Sequence, residues 1–151
     1  MSRHILILFM SFIAVACSRG DAQTQAAASH AKPMEVMVPT ENARVAAVYI
    51  RADWCSSCKI LEPKLKAAKK MNAVSGLEHI TLDYTDRNKS AFFAKAEKAG
   101  VAQPIKMHLD GGVTTGIVLL VDLKDKTILA DLRKTLETEE IYDALVHAAA
   151  L

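Results

Sequence analysis

Two cysteines separated by two serines, Cys55 and Cys58, are the residues of this 151-residue chain whose types and spacing most directly indicate chemistry. They follow an apolar run and open a predicted helix, so Cys55 lies where unpaired N–H groups and the helix dipole stabilise a thiolate. Cys58 lies one turn further along the same face, close enough to form a disulfide with little movement of the backbone. We predict that Cys55 is the exposed attacking thiolate of a thiol–disulfide exchange, and that Cys58 is the less accessible thiol that resolves the mixed disulfide.

The same pair of cysteines has other conceivable uses. A four-ligand zinc site needs a second pair of Cys or His side chains at suitable spacing, and His79, His108 and His147 do not supply one. A purely structural disulfide is disfavoured, because closing a two-residue loop constrains very little of the unfolded chain. Our preferred interpretation therefore assigns no metal. Two alternatives stay open: a module that only binds partners, and a chaperone that carries Cu(I) or another soft metal on the cysteines. The further candidate ligands for such a metal are Met34, Met37, Met107 and His108.

A strand before the cysteines and a helix after them would hold the pair in place. Residues 44–51 form an apolar run rich in β-branched side chains, which indicates a buried strand, and Ser56–Met71 has the periodicity of an amphipathic helix. Strands and helices alternate along the rest of the chain and a final hairpin makes the sheet mixed, so we predict a layered α/β domain. The further predicted strands are residues 34–38, Leu77–Asp83, 117–123 and 127–132, and the further helices are residues 87–99, capped by Asp86, and a last helix capped by Thr138.

Residues 52–59, which read A-D-W-C-S-S-C-K, and Pro63 inside the following helix resemble the active-site motif of the thioredoxin superfamily. The resemblance covers about residues 34–150. Within the superfamily the chain is most similar to the thioredoxin-like C-terminal domain of the membrane thiol reductant conductor DsbD, which shares the motif and a Glu at the position of Glu62. The resemblance implies a three-layer α/β sandwich with a mixed central sheet flanked by helices. It also implies dithiol–disulfide exchange with Cys55 as nucleophile and no cofactor other than the redox-active Cys55–Cys58 disulfide.

The residues around the motif differ from the superfamily at one buried position. Thioredoxins keep a carboxylate in the strand, six residues before the first cysteine, where it is thought to help deprotonate the resolving thiol, and this chain has Tyr49 there. Glu62 and Asp53 are the candidates to accept that proton instead. The alternative is that Glu62 is only a solvated charge on the helix and Asp53 only an exposed charge in the loop. Trp54 is expected to cover the disulfide, and Lys59 completes the motif.

A second departure concerns the cis-proline that faces the disulfide in the superfamily. If the strand that follows it is residues 117–123, Thr115 or Gly116 occupies that position, and residues 101–115 are an insertion beside the active site. The alternative places Pro104 there, with residues 105–109 as the strand. We prefer the first register, because it gives the sheet its most apolar strand and its hairpin and last helix match the end of the superfamily fold.

The N-terminal segment predicts where the protein works. Residues 1–16 have a short basic start and an apolar run that is too short to span a bilayer and suits a signal peptide. The run ends in small residues before Cys17, which resembles the lipobox of bacterial lipoproteins, and lipidation of Cys17 would account for the odd third cysteine. Residues 17–33 are then a lipid-anchored flexible linker, and residues 34–151 the thioredoxin-like domain. Simple secretion and an uncleaved anchor are the alternatives.

The charge of the chain and its export signal together indicate the partners. A formal net charge of +2 gives no electrostatic footprint for nucleic acid. We predict a protein of the bacterial cell envelope, anchored by its lipid to a membrane in the periplasm, that exchanges disulfides with the protein thiols and disulfides there. On the resemblance we favour a reductase, and a reductase outside the cytosol needs electrons from a membrane donor of the DsbD type.

Overall fold

The computed structural model describes residues 43–151, so the predicted strand at 34–38, the signal peptide, the linker and Cys17 lie outside the described residues. No helix in the described part of the chain is both long and apolar enough to cross a membrane. The strands are β1 (Val45–Arg51), β2 (Leu77–Asp83), β3 (Ile117–Asp122) and β4 (Thr127–Arg133), and the helices are α1 (Ser56–Met71), α2 (Lys89–Lys98), α3 (Ala102–His108) and α4 (Thr138–Ala149).

One four-stranded sheet in the order β2-β1-β3-β4 organises the domain. Strand β1 pairs in parallel with β2, and its last residue, Arg51, lies opposite Asp83. On its other side β1 runs antiparallel to β3, with Ile50 opposite Ile117, and β3 continues antiparallel into β4. The carboxyl ends of β1 and β2 and the amino end of β3 therefore meet at one edge of the sheet, and the chain passes from that edge into α1.

The two faces of the sheet carry separate cores, as the alternation of side chains along a strand requires. On one face Ala47 and Tyr49 of β1 pack in a buried cluster with α1 and α4. On the other face Val48 and Ile50 pack with α2 and α3. Helices thus cover both faces of a mixed sheet, and the predicted three-layer α/β sandwich is confirmed.

Two helix starts differ from the sequence prediction. Helix α2 begins at Lys89 and is capped by Asn88, whose side chain accepts from the Ala91 N–H at 3.0 Å. The expected cap, Asp86, instead accepts from the Asn88 N–H, because Arg87 between them has a φ of 55° and cannot belong to a helix.

The last helix also starts one residue earlier than predicted. Glu137 is its N-cap, since its carboxylate accepts from the backbone of Glu140 while the Glu140 side chain accepts from the Glu137 N–H at 2.7 Å. Thr138 is therefore the first helical residue rather than the cap, and this reciprocal pair is the arrangement of a capping box.

Residues 101–115 contain a helix that the sequence prediction did not include. Helix α3 spans Ala102–His108 and buries Ala102, Pro104 and Ile105 against the α2 side of the sheet. Pro104 lies in the first turn, where a missing N–H leaves no helical hydrogen bond unmade. The alternative prediction of a strand at 105–109 preceded by a cis-proline is wrong, because this stretch is helical and no peptide bond within residues 43–151 is cis.

Candidate active site

The cysteine pair lies at the start of α1, just after the turn that follows β1. Cys55 is the N-cap of α1, with extended backbone, and its Sγ accepts a hydrogen bond from the Cys58 N–H at 3.1 Å. The Cys55 N–H donates to the Ala52 carbonyl at 3.1 Å, which closes the turn that leaves the strand. The two cysteines form a disulfide with their Cα atoms 5.3 Å apart. The sulfur of Cys55 thus occupies the place where a helix N-terminus stabilises negative charge.

The cysteines are less accessible than the sequence indicated. Cys55 is 6% exposed and Cys58 3%, and both belong to the buried cluster between the sheet and α1. Both side chains are buried, so the expectation of an exposed Cys55 is wrong for the disulfide form, because the chain at Gly116 lies against its sulfur.

Gly116 makes this close approach possible. Its N–H donates to the Ile50 carbonyl at 2.8 Å, which fixes the chain just before β3 across the end of β1. A Cβ at Gly116 would lie 2.6 Å from the Ser57 Cβ, 3.1 Å from the Cys55 Sγ and 3.2 Å from the Cys58 nitrogen. The φ of 76° also disfavours any side chain. The structure therefore places Gly116 against the disulfide, with the half-buried Thr115 next to it, in the register that the sequence favoured.

Tyr49 lies beside the backbone of Cys58. Its hydroxyl donates to the Cys58 carbonyl at 3.4 Å, and the side chain is buried. Burial, and secondarily the nearby charge of Glu62, raise the pKa of Tyr49 to about 12, so the phenol stays protonated near neutral pH. The Tyr49 hydroxyl is therefore a hydrogen-bond donor to the backbone of Cys58 and not a base.

The two carboxylates considered as proton acceptors lie in different surroundings. Glu62 on α1 is near enough to Tyr49 to raise its pKa, and it forms an ion pair with Lys66 at 2.6 Å. Asp53 instead pairs with Arg51, and its side chain is 69% exposed. Of the two carboxylates, Glu62 is therefore the one close to the buried Tyr49 hydroxyl, which binds the Cys58 carbonyl.

Arg51 ties the loop before the cysteines to the end of β2. Its guanidinium pairs with both Asp53 and Asp83. Burial works against the charge of Arg51, but the hydrogen bond to Asp53 and the charge of Asp83 outweigh it and raise the pKa of Arg51. Burial likewise opposes the charge of Asp83, yet hydrogen bonds from Thr85 and the charge of Arg51 hold its pKa below the ordinary value.

Thr85 is a site residue that the sequence analysis missed. Its N–H donates to Asp83 Oδ1 at 2.7 Å, its Oγ1 accepts from the Asp53 N–H at 3.0 Å, and its carbonyl accepts from the Trp54 indole N–H at 3.0 Å. The signal that could have found it is the parallel pairing of β1 and β2: Asp53 and Thr85 each come two residues after the facing pair Arg51 and Asp83.

Trp54 packs on the loop that carries Thr85. Its ring is 46% exposed and contacts Tyr84 edge-on, with the centroids 6.4 Å apart. The guanidinium of Arg87, a second residue missed from the sequence, lies 4.5 Å from the Trp54 ring centroid. The hydrogen bond and ring contacts of Trp54 are thus with residues 84–87, and the expectation that it covers the disulfide stays a prediction.

The residues that directly follow Cys58 on α1 are exposed. Lys59 is exposed and Ile60 beside it is 47% exposed on α1. Clefts of about 300, 260 and 310 Å³ are lined by other parts of the domain. Within residues 43–151 no three His, Cys, Asp or Glu side chains are grouped so that they could hold a metal ion.

Comparison with known proteins gave no family model and no curated protein that matches this chain. Among solved structures, a malarial protein is 20% identical with a TM-score of 0.43, covering 71% of this chain and 98% of its own. The protein Trxlp from Edwardsiella tarda is 17% identical with a TM-score of 0.47, covering 70% and 84%. Thioredoxin f2 from Chlamydomonas reinhardtii is 18% identical with a TM-score of 0.38, covering 61% and 68%. At these values the likeness adds nothing to the fold, which stands on its own sheet order and its two cores.

Proposed function

We propose that this chain is a thiol–disulfide oxidoreductase of the thioredoxin superfamily. The observation that carries the proposal is the position of Cys55: its sulfur caps α1, accepts the Cys58 N–H and is bonded to the sulfur of Cys58. A helix N-terminus stabilises a thiolate, which is both the attacking form and the leaving form in disulfide exchange.

The exchange follows from this geometry. In the dithiol form, the Cys55 thiolate attacks one sulfur of a substrate disulfide, which breaks the substrate S–S bond and forms a mixed disulfide at Cys55. The displaced substrate sulfur leaves with the electron pair and takes up a proton. Cys58 then loses its proton and attacks the Cys55 sulfur, so that the second substrate thiolate leaves and the Cys55–Cys58 disulfide forms. Two electrons pass from the protein to the substrate, and an external dithiol must return them.

The cellular setting of the proposal rests on the sequence. We infer a signal peptide at residues 1–16, a lipid on Cys17 and a linker to residue 33, which together hold the domain at a membrane in the periplasm of a bacterial envelope. The similarity to the C-terminal domain of DsbD favours a reductase of envelope protein disulfides. Its dithiol donor would then be a membrane protein of the DsbD type.

A disulfide-reduction assay tests the activity. With dithiothreitol as electron donor and insulin as substrate, the protein should accelerate insulin reduction, and Cys55→Ser should remove the acceleration. Cys58→Ser should also stop turnover while it accumulates a mixed disulfide at Cys55, visible as a reducible mass increase. Ser56→Ala, at an exposed position between the cysteines, is the control that keeps activity. Equal rates with the wild type and Cys55→Ser would refute the proposal.

Mass spectrometry of the mature N-terminus tests the anchor. A diacylated or triacylated N-terminal Cys17 is expected, together with loss of membrane association in Cys17→Ser. A mature chain with an unmodified Cys17, or one that starts elsewhere, would contradict lipidation and leave the exchange activity untouched.

A further inference from the structure

Arg87 has a backbone conformation that its residue type disfavours. It lies in the loop between β2 and α2 with a φ of 55°, in the left-handed region where glycine or asparagine is the usual choice. Strain of this kind persists where surrounding contacts hold it, and it clusters at functional sites. Arg87 has two such contacts: its N–H donates to the Tyr84 carbonyl at 3.1 Å, and its guanidinium carbon lies 4.5 Å from the centroid of the Trp54 ring.

Trp54 is a fixed platform next to the nucleophile. It directly precedes Cys55, its indole N–H is bound by the Thr85 carbonyl at 3.0 Å, and Tyr84 packs against its edge. A guanidinium that lies over this ring is therefore next to the residue that directly precedes Cys55. At 4.5 Å from the ring centroid the guanidinium carbon is within cation–π distance, and the N–H donors at the rim of the guanidinium are the groups that can bind a carboxylate.

Among residues 43–151, Arg87 takes part in no ion pair although other charged side chains near the site do. Arg51 pairs with both Asp53 and Asp83, and Glu62 pairs with Lys66. None of the ion pairs among residues 43–151 includes Arg87. The exposed Lys59, directly after Cys58, is likewise absent from the ion pairs among residues 43–151.

We propose that Arg87, stacked on Trp54, is a specificity-determining residue that binds a carboxylate next to the substrate disulfide. The substrate class is then an acidic polypeptide segment, with Glu or Asp adjacent to the cysteine that Cys55 attacks. This inference rests on the proposed oxidoreductase function, since it concerns which disulfides the same site selects. A bidentate guanidinium–carboxylate contact fits the donors that the stack leaves available.

Matched peptide disulfides test the inference. Three synthetic peptides differ only in having Glu, Gln or Lys beside the disulfide cysteine, and kcat/KM for their reduction is measured with dithiothreitol as donor. The Glu peptide should exceed the Gln peptide roughly two- to five-fold at low salt, the range of a solvent-exposed ion pair, and the Lys peptide should be the poorest. The Glu preference should shrink at high salt.

Two variants separate a specific contact from general charge. Arg87→Gln should bring the Glu-to-Gln ratio to about one, whereas Lys89→Gln, which removes an exposed positive charge two residues away, should keep it. Equal kcat/KM for all three peptides, or an unchanged ratio in Arg87→Gln, would overturn the inference and leave the exchange function standing. No reduction of any peptide and of insulin would instead refute the proposed function itself.

Discussion

Replacement of Gly116 by alanine should destabilise the domain for two separable reasons. The φ of 76° penalises any L side chain, at about 1 kcal/mol. The new Cβ would also lie 2.6 Å from the Ser57 Cβ and 3.1 Å from the Cys55 Sγ, and forced overpacking costs about 1–3 kcal/mol. We expect Gly116→Ala to lower the free energy of unfolding by about 2–4 kcal/mol.

A matched glycine isolates the backbone part of this cost. Gly76 has the same φ of 76°, but a Cβ there would meet nothing closer than the Ala149 carbonyl oxygen at 3.8 Å. Gly76→Ala should therefore cost about 1 kcal/mol, the left-handed penalty alone. Denaturant unfolding of the disulfide form, with the midpoints compared at a common m-value, measures both variants.

A double-mutant cycle isolates the steric part. Ser57→Gly removes the atom that the new Cβ would meet first, so Gly116→Ala should cost about 1–2 kcal/mol less in that background than in the wild type. The reasoning would be refuted if Gly116→Ala cost no more than Gly76→Ala, or if the cycle showed no coupling, because Gly116 would then not be pressed against the cysteine turn.

Three further predictions concern Thr85, His79 and Tyr49. Thr85→Val removes the acceptor of the Asp53 N–H, so it should lower the free energy of unfolding by about 0.5–1.5 kcal/mol and shift the fluorescence of Trp54, the single tryptophan. Thr85→Ser keeps the hydroxyl and should have the wild-type spectrum. An unchanged spectrum in Thr85→Val would contradict a role of Thr85 in positioning Trp54. Burial, and secondarily the charge of Lys69, lower the pKa of His79 from 6.5 to about 4, so the unfolded chain binds a proton more readily than the folded chain. The free energy of unfolding should therefore fall by about 1–2 kcal/mol as the pH drops from 6.5 to 4, a value reduced for the partial solvent exposure of His79. An equal fall in His79→Gln would show that His79 is not its cause. The pKa of Tyr49 is raised from 10.0 to about 12, so the protonated phenol stabilises the folded state below pH 10 and this contribution is lost as the pH rises to 12. In denaturant unfolding between pH 9 and 12, this loss should be seen in the wild type and be missing from Tyr49→Phe.

The sequence predicted well what depends on local pattern. Helix α1 and strand β2 have the bounds that were predicted, Ser56–Met71 and Leu77–Asp83, because one has a clear amphipathic period and the other alternates apolar and polar residues. The short helix α3 was missed, since seven residues are too few for a periodicity to stand out and Pro104 was considered only for a strand entry. Helix α3 is stabilised by the burial of Ala102 and Ile105 against the sheet. This tertiary packing leaves no periodic pattern in so short a sequence.

The same distinction explains which site residues could be found. Cys55 and Cys58 are recognisable because the chemistry they need, a thiolate at a helix N-terminus, is built from adjacent residues. Thr85 and Arg87 carry no local signal; they reach the site only because β2 runs parallel to β1 and ends beside it, Arg51 opposite Asp83. Asp86 was assigned a capping role for the same reason, since nothing local shows that Arg87 leaves the helical conformation to lie over Trp54.

Once the strand order is known, the register of β1 assigns the rest of the site by counting. Ile50 faces Ile117 across the antiparallel pair, so the residue before β3, Gly116, must cross the end of β1 where the cysteine turn begins. Counting forward from the parallel pair in the same way brings the loop of Thr85 beside Trp54. The cysteine pair is thus encoded in one short motif, while the positions of Gly116 against Cys55 and of Arg87 over Trp54 depend on two strand registers. On the proposed function, variation in the loops after β2 and before β3 would change substrate selection and leave the cysteine motif as it is.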